Sequence, residues 1–281
     1  MLFVKLSDGM GNQMFQYAYY KHLCHSQRNV YLDLSFFRKP NVPDYQLNVF
    51  PNINYSRLPD KMSLYYPESN IIKRGIRGAL KKAHYIKYEQ NASIVDEKMI
   101  DPQSGIIIGY FQNELYFNDV KNQIKHDFKF PNNNISLMNC LEKIKNYNTV
   151  SIHFRRGDYL KLKDIYGGIC TEEYYFKSIS YIYKHIEKPK FIVFSDDIEW
   201  VMDNFKLDDA IFMHPSMFDN YHDWFDMYIM SKCKNNIIAN SSFSWWGAWL
   251  NDTPGKIVIC PKRWDNLQPS RSMAANGWVS I

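Results

Sequence analysis

Chemical potential is most concentrated in Ser151-Ile152-His153-Phe154-Arg155-Arg156-Gly157-Asp158-Tyr159. The run Thr149 to Ile152 reads as a buried strand, which sets His153, Arg155 and Arg156 at its carboxyl end, where open parallel sheets bind their ligands. Two guanidiniums there bring permanent positive charge and fork-shaped donors, a combination that suits a pyrophosphate. Taken alone, the same residues describe a tight turn in which Gly157 bends the chain and Asp158 neutralises one arginine. If the strand's alternation runs on, His153 and Arg155 share a face, Arg156 points the other way, and Arg156 pairs with Asp158. A site is favoured because other strand ends in this half also finish in polar groups: Ser195-Asp196-Asp197, His214, Asn240-Ser241-Ser242 and Lys262-Arg263.

Each of these groups has a chemical and a plain structural reading. Asp196 or Asp197 can accept from the paired N–H donors of a guanine edge, while the other caps the helix that opens at Ile198. Ser241, Ser242 and Ser244 stand between a buried strand and a Trp-rich helix, so their hydroxyls and free helix N–H groups would converge on phosphate oxygens. Trp245, Trp246 and Trp249 read as core. Near the start, Gly9 and Gly11 in Asp8-Gly9-Met10-Gly11-Asn12-Gln13 allow an anion to approach a helix N-terminus, but Met14 stands where a third glycine would complete a dinucleotide fingerprint. A glycine turn with Asn12 as N-cap accounts for that stretch equally well. His22 and His25 lack a further ligand and read as helix surface.

His153 to Tyr159, Asp8-Gly9-Met10-Gly11-Asn12-Gln13-Met14-Phe15-Gln16-Tyr17-Ala18 and Ala239-Asn240-Ser241-Ser242-Phe243-Ser244-Trp245-Trp246-Gly247-Ala248-Trp249 together resemble the α-1,2-fucosyltransferases of glycosyltransferase family 11. The resemblance implies an α/β, two-domain GT-B fold, two Rossmann-like domains facing each other across a cleft, GDP-L-fucose as donor, no catalytic metal, no cofactor, and inversion at the anomeric carbon. It also implies that the Gly-Asn loop reaches the sugar-phosphate, and that the acceptor is a galactose-terminated oligosaccharide fucosylated at its 2-hydroxyl. Asp8 departs from the family, which often has glycine there. With the resemblance, the expected donor set is Gly11, Asn12, His153, Arg155, Arg156, Asp158, Asp196, Asp197, Asn240, Ser241, Ser242, Phe243 and Ser244, with Arg155 as the catalytic arginine. The chain has no Asp-x-Asp triplet of the kind that holds a divalent ion on a sugar-nucleotide diphosphate, so arginine must take the cation's place. Glu172 and Glu173 are candidate bases, equally explained by the helix dipole, and Asp44 and Glu114 are no better supported. The rival readings are a nucleotide-binding regulatory or scaffolding protein without turnover, and a sugar-binding module built on the aromatics.

The elements that must position these groups follow from pattern and length. A chain of 281 residues, 46% hydrophobic, can bury a large core. Its net charge of +5 comes with lysines scattered in short pairs, so nucleic acid is not an expected partner. Five cysteines without a C-x-x-C pair suggest reduced thiols. Met1 to Ser7 reads as a first strand instead of a signal segment, which places the protein in the cytoplasm. The basic stretch Lys73 to Lys82 is expected to be a solvated face, with peripheral contact at the inner face of a membrane as the minority alternative. The opening is βαβ: Leu2 to Leu6, a helix from Met14 to about Ser26, and Val30 to Leu34. After Asn148, strands and helices alternate regularly, which argues for a parallel sheet. The boundary is expected near Asn148, dividing an acceptor-side domain, 1–147, from a GDP-fucose-binding domain, 148–281.

Overall fold

Runs rich in Val, Ile, Leu and Phe recur between helices along the whole chain, and such strands, apolar on both faces, belong in parallel sheets covered by helices. The computed structural model describes residues 1–88, 95–207, 209–267 and 272–281, and the strands form two all-parallel sheets in two units, Met1–Pro131 and Asn132–Ile281.

In the first unit the sheet order is β2-β1-β4-β3, with β1 at Leu2–Lys5, β2 at Val30–Asp33, β3 at Ile86–Tyr88 and β4 at Gly105–Ile108. Its helices are α1 (Met10–Ser26), α2 (Ile71–Lys82), α3 (Glu97–Ile100) and α4 (Lys121–Asp127). α1 is buried nearly all round, with Met14, Phe15, Tyr17, Ala18 and Tyr19 fully inaccessible, so it is the centre of this unit's core. Its buried phenols are paired: Tyr17 donates to Asp127 Oδ2 at 2.8 Å and Tyr19 to the Met99 carbonyl at 2.5 Å. The helix starts at Met10, four residues earlier than its apolar pattern suggests. Asp8 turns the chain at φ 66, a left-handed conformation that glycine adopts without strain, and Gly9, not Asn12, becomes the N-cap.

The second unit carries α5 (Ile135–Ile144), β5 (Asn148–Phe154), α6 (Lys163–Tyr166), α7 (Glu172–His185), β6 (Pro189–Ser195), α8 (Ile198–Asn204), β7 (Ile211–Phe212), α9 (Trp224–Lys232), β8 (Asn235–Ile237), α10 (Ser242–Trp249), β9 (Val258–Cys260) and β10 (Val279–Ser280). The sheet order is β10-β9-β8-β5-β6-β7, which, counted from β5, is the doubly wound 3-2-1-4-5-6 order of a Rossmann sheet. The strand order reverses between β5 and β8, and a ligand crevice is expected beyond the carboxyl ends of those two strands. β10, only two residues long, completes the order by pairing Val279 with Ile259.

The division between units falls after Pro131, upstream of the boundary expected near Asn148. α5 accounts for the difference, because Asn134 caps it through Leu137 N–H at 2.9 Å and also donates to the Asp219 carbonyl at 3.0 Å. That fastens α5 to the second unit, where it packs on α9.

The two faces of β5 do different work. Val150, Ile152 and Phe154 pack against Tyr174, Tyr175, Ile179 and Ile182 of α7. On the other face Ser151 accepts from Asn236 Nδ2 at 2.7 Å, Asn236 also donates to the Met230 carbonyl at 2.9 Å, and Asn251 donates to Asn236 Oδ1 at 2.8 Å. All three side chains are buried. Asn236→Leu would leave the Ser151 hydroxyl and one Asn251 N–H without a partner, each costing about 1–3 kcal/mol when unpaired, while the Met230 carbonyl keeps the Cys233 N–H at 3.3 Å and the Asn251 amide keeps the Cys233 carbonyl at 2.7 Å. Urea unfolding should show a loss of roughly 2 kcal/mol or more relative to the parent, on the same basis.

Candidate active site

β5 ends at Phe154 and its chain turns sharply over the end of β6. Asp196, the residue after β6, governs this turn: its Oδ1 accepts from the Arg156 backbone N–H at 2.8 Å, and its Oδ2 pairs with Arg155 Nη1 at 3.1 Å. Gly157 is required by the approach, since a Cβ there would lie 2.5 Å from Asp196 Oδ2. Arg155 Nη2 reaches Asp158 Oδ1 at 2.8 Å. Arg156 Nε instead donates to Asp197 Oδ2 at 3.0 Å, and its guanidinium carbon lies 3.2 Å from the centre of the Trp200 ring. The pairing is therefore the reverse of that expected from strand alternation: Arg155, not Arg156, holds Asp158. The alternation stops at Phe154 because Asp196 captures the next backbone donor. Asp197 stands at the N-cap position of α8 but makes no side-chain cap, its carboxylate being turned to Arg156.

A second set of contacts joins this turn to the loop after β8. Tyr159 donates to the Asn240 carbonyl at 2.7 Å, stacks on Tyr166 at 4.1 Å, and lies 5.5 Å from the Arg155 guanidinium. Asn240 is buried and spends its amide on the Trp264 carbonyl at 3.0 Å. α10 starts at Ser242, with Ser241 as an N-cap that makes no side-chain cap bond. The Phe243 ring centre lies 6.2 Å from that of His153. Ser244 is buried and donates to the Ser241 carbonyl at 3.3 Å, so its hydroxyl is turned into the helix and not outward as expected. Trp245, Trp246 and Trp249 are buried, as their spacing suggests.

His153 is buried, and its Nδ1 has no hydrogen-bond partner. Burial first, and then the Arg155 charge, push its pKa down to about 3, so the ring is neutral near pH 7. Beside the arginines lies a cavity of about 260 Å³, walled by Arg155, Arg156 and Trp200 and by Thr171, Glu172 and Tyr175 from the start of α7. The two candidate bases separate here: Glu172 lines the cavity, whereas Glu173 pairs with Lys177 at 2.6 Å. Among the described residues, no cluster of three or more His, Cys, Asp or Glu is placed to hold a metal ion. His22, three residues from His25, bonds Asp119 and the Ile100 carbonyl, each at 2.8 Å.

In the first unit, Gly11 and Asn12 lie in the first turn of α1, and Gln112, after β4, donates to Asn12 Oδ1 at 2.7 Å. Two buried amides of α1, to which the sequence pattern assigns no role, hold loops in place. Gln13 ties the Asp8 and Asp44 carbonyls at 2.7 and 2.9 Å and accepts from Gln46 N–H at 2.9 Å; Gln16 accepts from Ser7 N–H at 2.8 Å and donates to the Gly109 carbonyl at 3.0 Å. Both side chains are buried, and together they fix the loops after β1 and β4. The available signal was two amides, three residues apart, inside an otherwise apolar helix.

Over residues 1–281 the sequence matches Glycosyl transferase family 11. The protein belongs to glycosyltransferase family 11. This family 11 enzyme is 33% identical to the Escherichia coli O-antigen biosynthesis glycosyltransferase WbnK, over 98% of this chain and 99% of the other. It is also 33% identical to an α-1,2-colitosyltransferase of Escherichia coli, over 99% of this chain and 97% of the other. A galactoside α-(1,2)-fucosyltransferase 1 of Saimiri boliviensis boliviensis is 26% identical over 36% of this chain and 28% of its own.

Two outcomes test the site's construction. Gly157→Ala should push Asp196 off its donors and cost about 1–3 kcal/mol, as overpacking does, read as a lowered unfolding midpoint. For His153 the folded pKa lies below the unfolded value, so the unfolded chain binds the extra proton and stability falls as pH drops from about 6.5 toward 3. The unfolding free energy of the parent minus that of His153→Phe should therefore decrease as pH falls across that window and stay flat above pH 7.

Proposed function

We propose that this family 11 enzyme transfers L-fucose from GDP-L-fucose to the 2-hydroxyl of a terminal galactose, with inversion and without a catalytic metal. The observation that carries the reading is the position of Arg155 just beyond the carboxyl end of β5, one of the two strands between which the doubly wound order reverses, on a turn that Tyr159 joins to the Asn240 carbonyl just before α10. Positive charge and helix N–H groups there stabilise the charge that builds on the leaving diphosphate as the sugar–oxygen bond breaks. In this reading the first unit serves the acceptor and the second holds the donor, with Gly11 and Asn12 counted among the donor residues. The reaction takes place in the cytoplasm; among the described residues no helix is long and apolar enough to cross a membrane.

The donor residues take distinct roles. Asp158, whose side chain is 55% exposed, is the partner that a diphosphate displaces from Arg155. Asp196 stays in place as the anchor of the turn. Among the described residues Asp197 Oδ1 has no hydrogen-bond partner, and Asp197 is the carboxylate that reads guanine N1 and N2. Arg156, held by Asp197 and Trp200, keeps that carboxylate oriented. Ser241, Ser242 and Phe243 present the start of α10 to the phosphates, beside the neutral His153.

The similarity to a colitosyltransferase favours one second reading, in which the donor sugar is colitose, which is fucose without its 3-hydroxyl. Incubation with GDP-fucose or GDP-colitose and a β-galactoside, with the product linkage read by NMR, tests both. An α-1,2-fucosyl product formed in excess EDTA is expected; loss on chelation with rescue by manganese or magnesium would overturn the metal-free mechanism. GDP should raise the melting temperature and UDP should not. Arg155→Ala should lower kcat at least about a hundredfold, as for loss of a transition-state donor, and lysine should restore little, because an ammonium lacks the two-pronged geometry. Arg156→Ala should act mainly on donor KM and on stability.

A further inference from the structure

α2 is docked the wrong way round for a helix of a soluble protein. Its inward stripe is cationic: Lys73 Nζ donates to the carbonyls of Lys61, Ser63 and Tyr66 at 3.1, 2.7 and 2.6 Å, and Arg77 donates to the Leu64 carbonyl at 2.5 Å while lying 5.2 Å from the Tyr65 ring. Lys81 sits 5.7 Å from the Tyr88 ring. These bonds fix the rotation of the helix, and none of its residues is buried. With the cations turned inward, Ile71 and Ile72 are left 72% and 75% exposed and Ile76 43%. Gly75 and Gly78 lie on the same outer side, where an added Cβ would meet nothing within 4 Å. Arg74 and Lys82 flank this face and are both exposed.

Charge identifies what covers it. Residues 57–88 hold eight Lys and Arg against two acids, a net charge of +6, whereas the whole chain carries +5. The rest of the molecule is therefore slightly acidic, and the net positive charge is concentrated in the segment that carries this isoleucine face, with Arg74 and Lys82 exposed beside it. A second copy of the same face would meet that charge with like charge, and solvent alone gives no return for exposed isoleucines. An anionic bilayer satisfies both features: the isoleucines enter the headgroup–acyl boundary, while Arg74, Lys82 and their neighbours meet lipid phosphates.

We propose that α2 lies flat on the surface of an anionic lipid bilayer, with Ile71, Ile72 and Ile76 as the inserted residues. The experiment is co-sedimentation of the full chain with vesicles of phosphatidylcholine alone and of phosphatidylcholine with about one-third phosphatidylglycerol, at low and high salt. Binding to the anionic vesicles is expected, weakened at least tenfold by high salt and lost with phosphatidylcholine alone. Ile71→Asp/Ile72→Asp and Arg74→Glu/Lys82→Glu should each reduce it at least tenfold, with unchanged melting temperature and unchanged transfer to a soluble acceptor. No binding to anionic vesicles by the parent, or equal binding by the substituted chains, overturns the proposal. So would a dimer in solution that Ile71→Asp/Ile72→Asp dissociates, since that would assign the face to a second copy.

Discussion

The candidate site depends on one carboxylate. Asp196 accepts from the Arg156 backbone, pairs with the Arg155 side chain, and occupies the space that a Cβ at position 157 would need. It joins the ends of β5 and β6 at the point where the chain would otherwise continue straight. A charged acceptor holding a backbone donor and a guanidinium makes bonds roughly twice as strong as neutral ones. Remove it and both arginines lose their reference: Arg155 loses a partner, and Arg156 loses the backbone bond that sets its approach to Trp200. The position of Tyr159, and through it the Asn240 carbonyl, follows from the same turn. Loops from β5, β6 and β8 are thus held as one body by contacts that begin at a single residue.

This arrangement shows how far local pattern reaches. The strand and helix alternation after Asn148 was legible because buried parallel strands are continuous apolar runs, and those runs fixed which residues would stand at strand ends. The doubly wound order was not legible in full, because β10 is two residues long and its pairing with β9 is a tertiary fact. The arginine pairing was misread for the same kind of reason: period two holds along β5 only as far as its neighbours let it, and Asp196, forty residues away in sequence, ends it. The start of α1 was misplaced because Asp8 adopts a backbone conformation that its residue type does not announce. The roles of Gln13 and Gln16 needed the positions of Asp44, Gln46 and Gly109, none of them local to α1.

Long-range pairing explains the domain boundary as well. α5 reads from its own residues as a connector, since an N-cap asparagine and an amphipathic pattern say only that a helix begins there. Its allegiance is set by the bonds that Asn134 and Ser136 make across more than eighty residues to Asp219. Likewise α2 reads as a basic surface helix, and its charges alone do not say which side faces out. The carbonyls of Lys61, Ser63, Leu64 and Tyr66 decide that, by drawing Lys73 and Arg77 inward and leaving the isoleucines outside.

The electrostatics of the arginine turn carry a consequence for how an anion is accepted. Arg155 and Arg156 face three carboxylates, Asp158, Asp196 and Asp197, so the resting turn holds one more negative than positive charge and is not a bare cationic pit. A free phosphate ion gains little there, because every guanidinium it approaches already has a partner. A larger anion does better if it takes Asp158's place on Arg155 while its other groups use the start of α10 and the open oxygen of Asp197. Selectivity then comes from the number of contacts that must be made together, not from the depth of the positive potential. In the proposed reaction, displacing Asp158 would free Arg155 to strengthen its hold as charge accumulates on the leaving group, the differential that speeds a reaction instead of merely tightening binding. The same carboxylates that weaken the resting attraction therefore leave room for that strengthening.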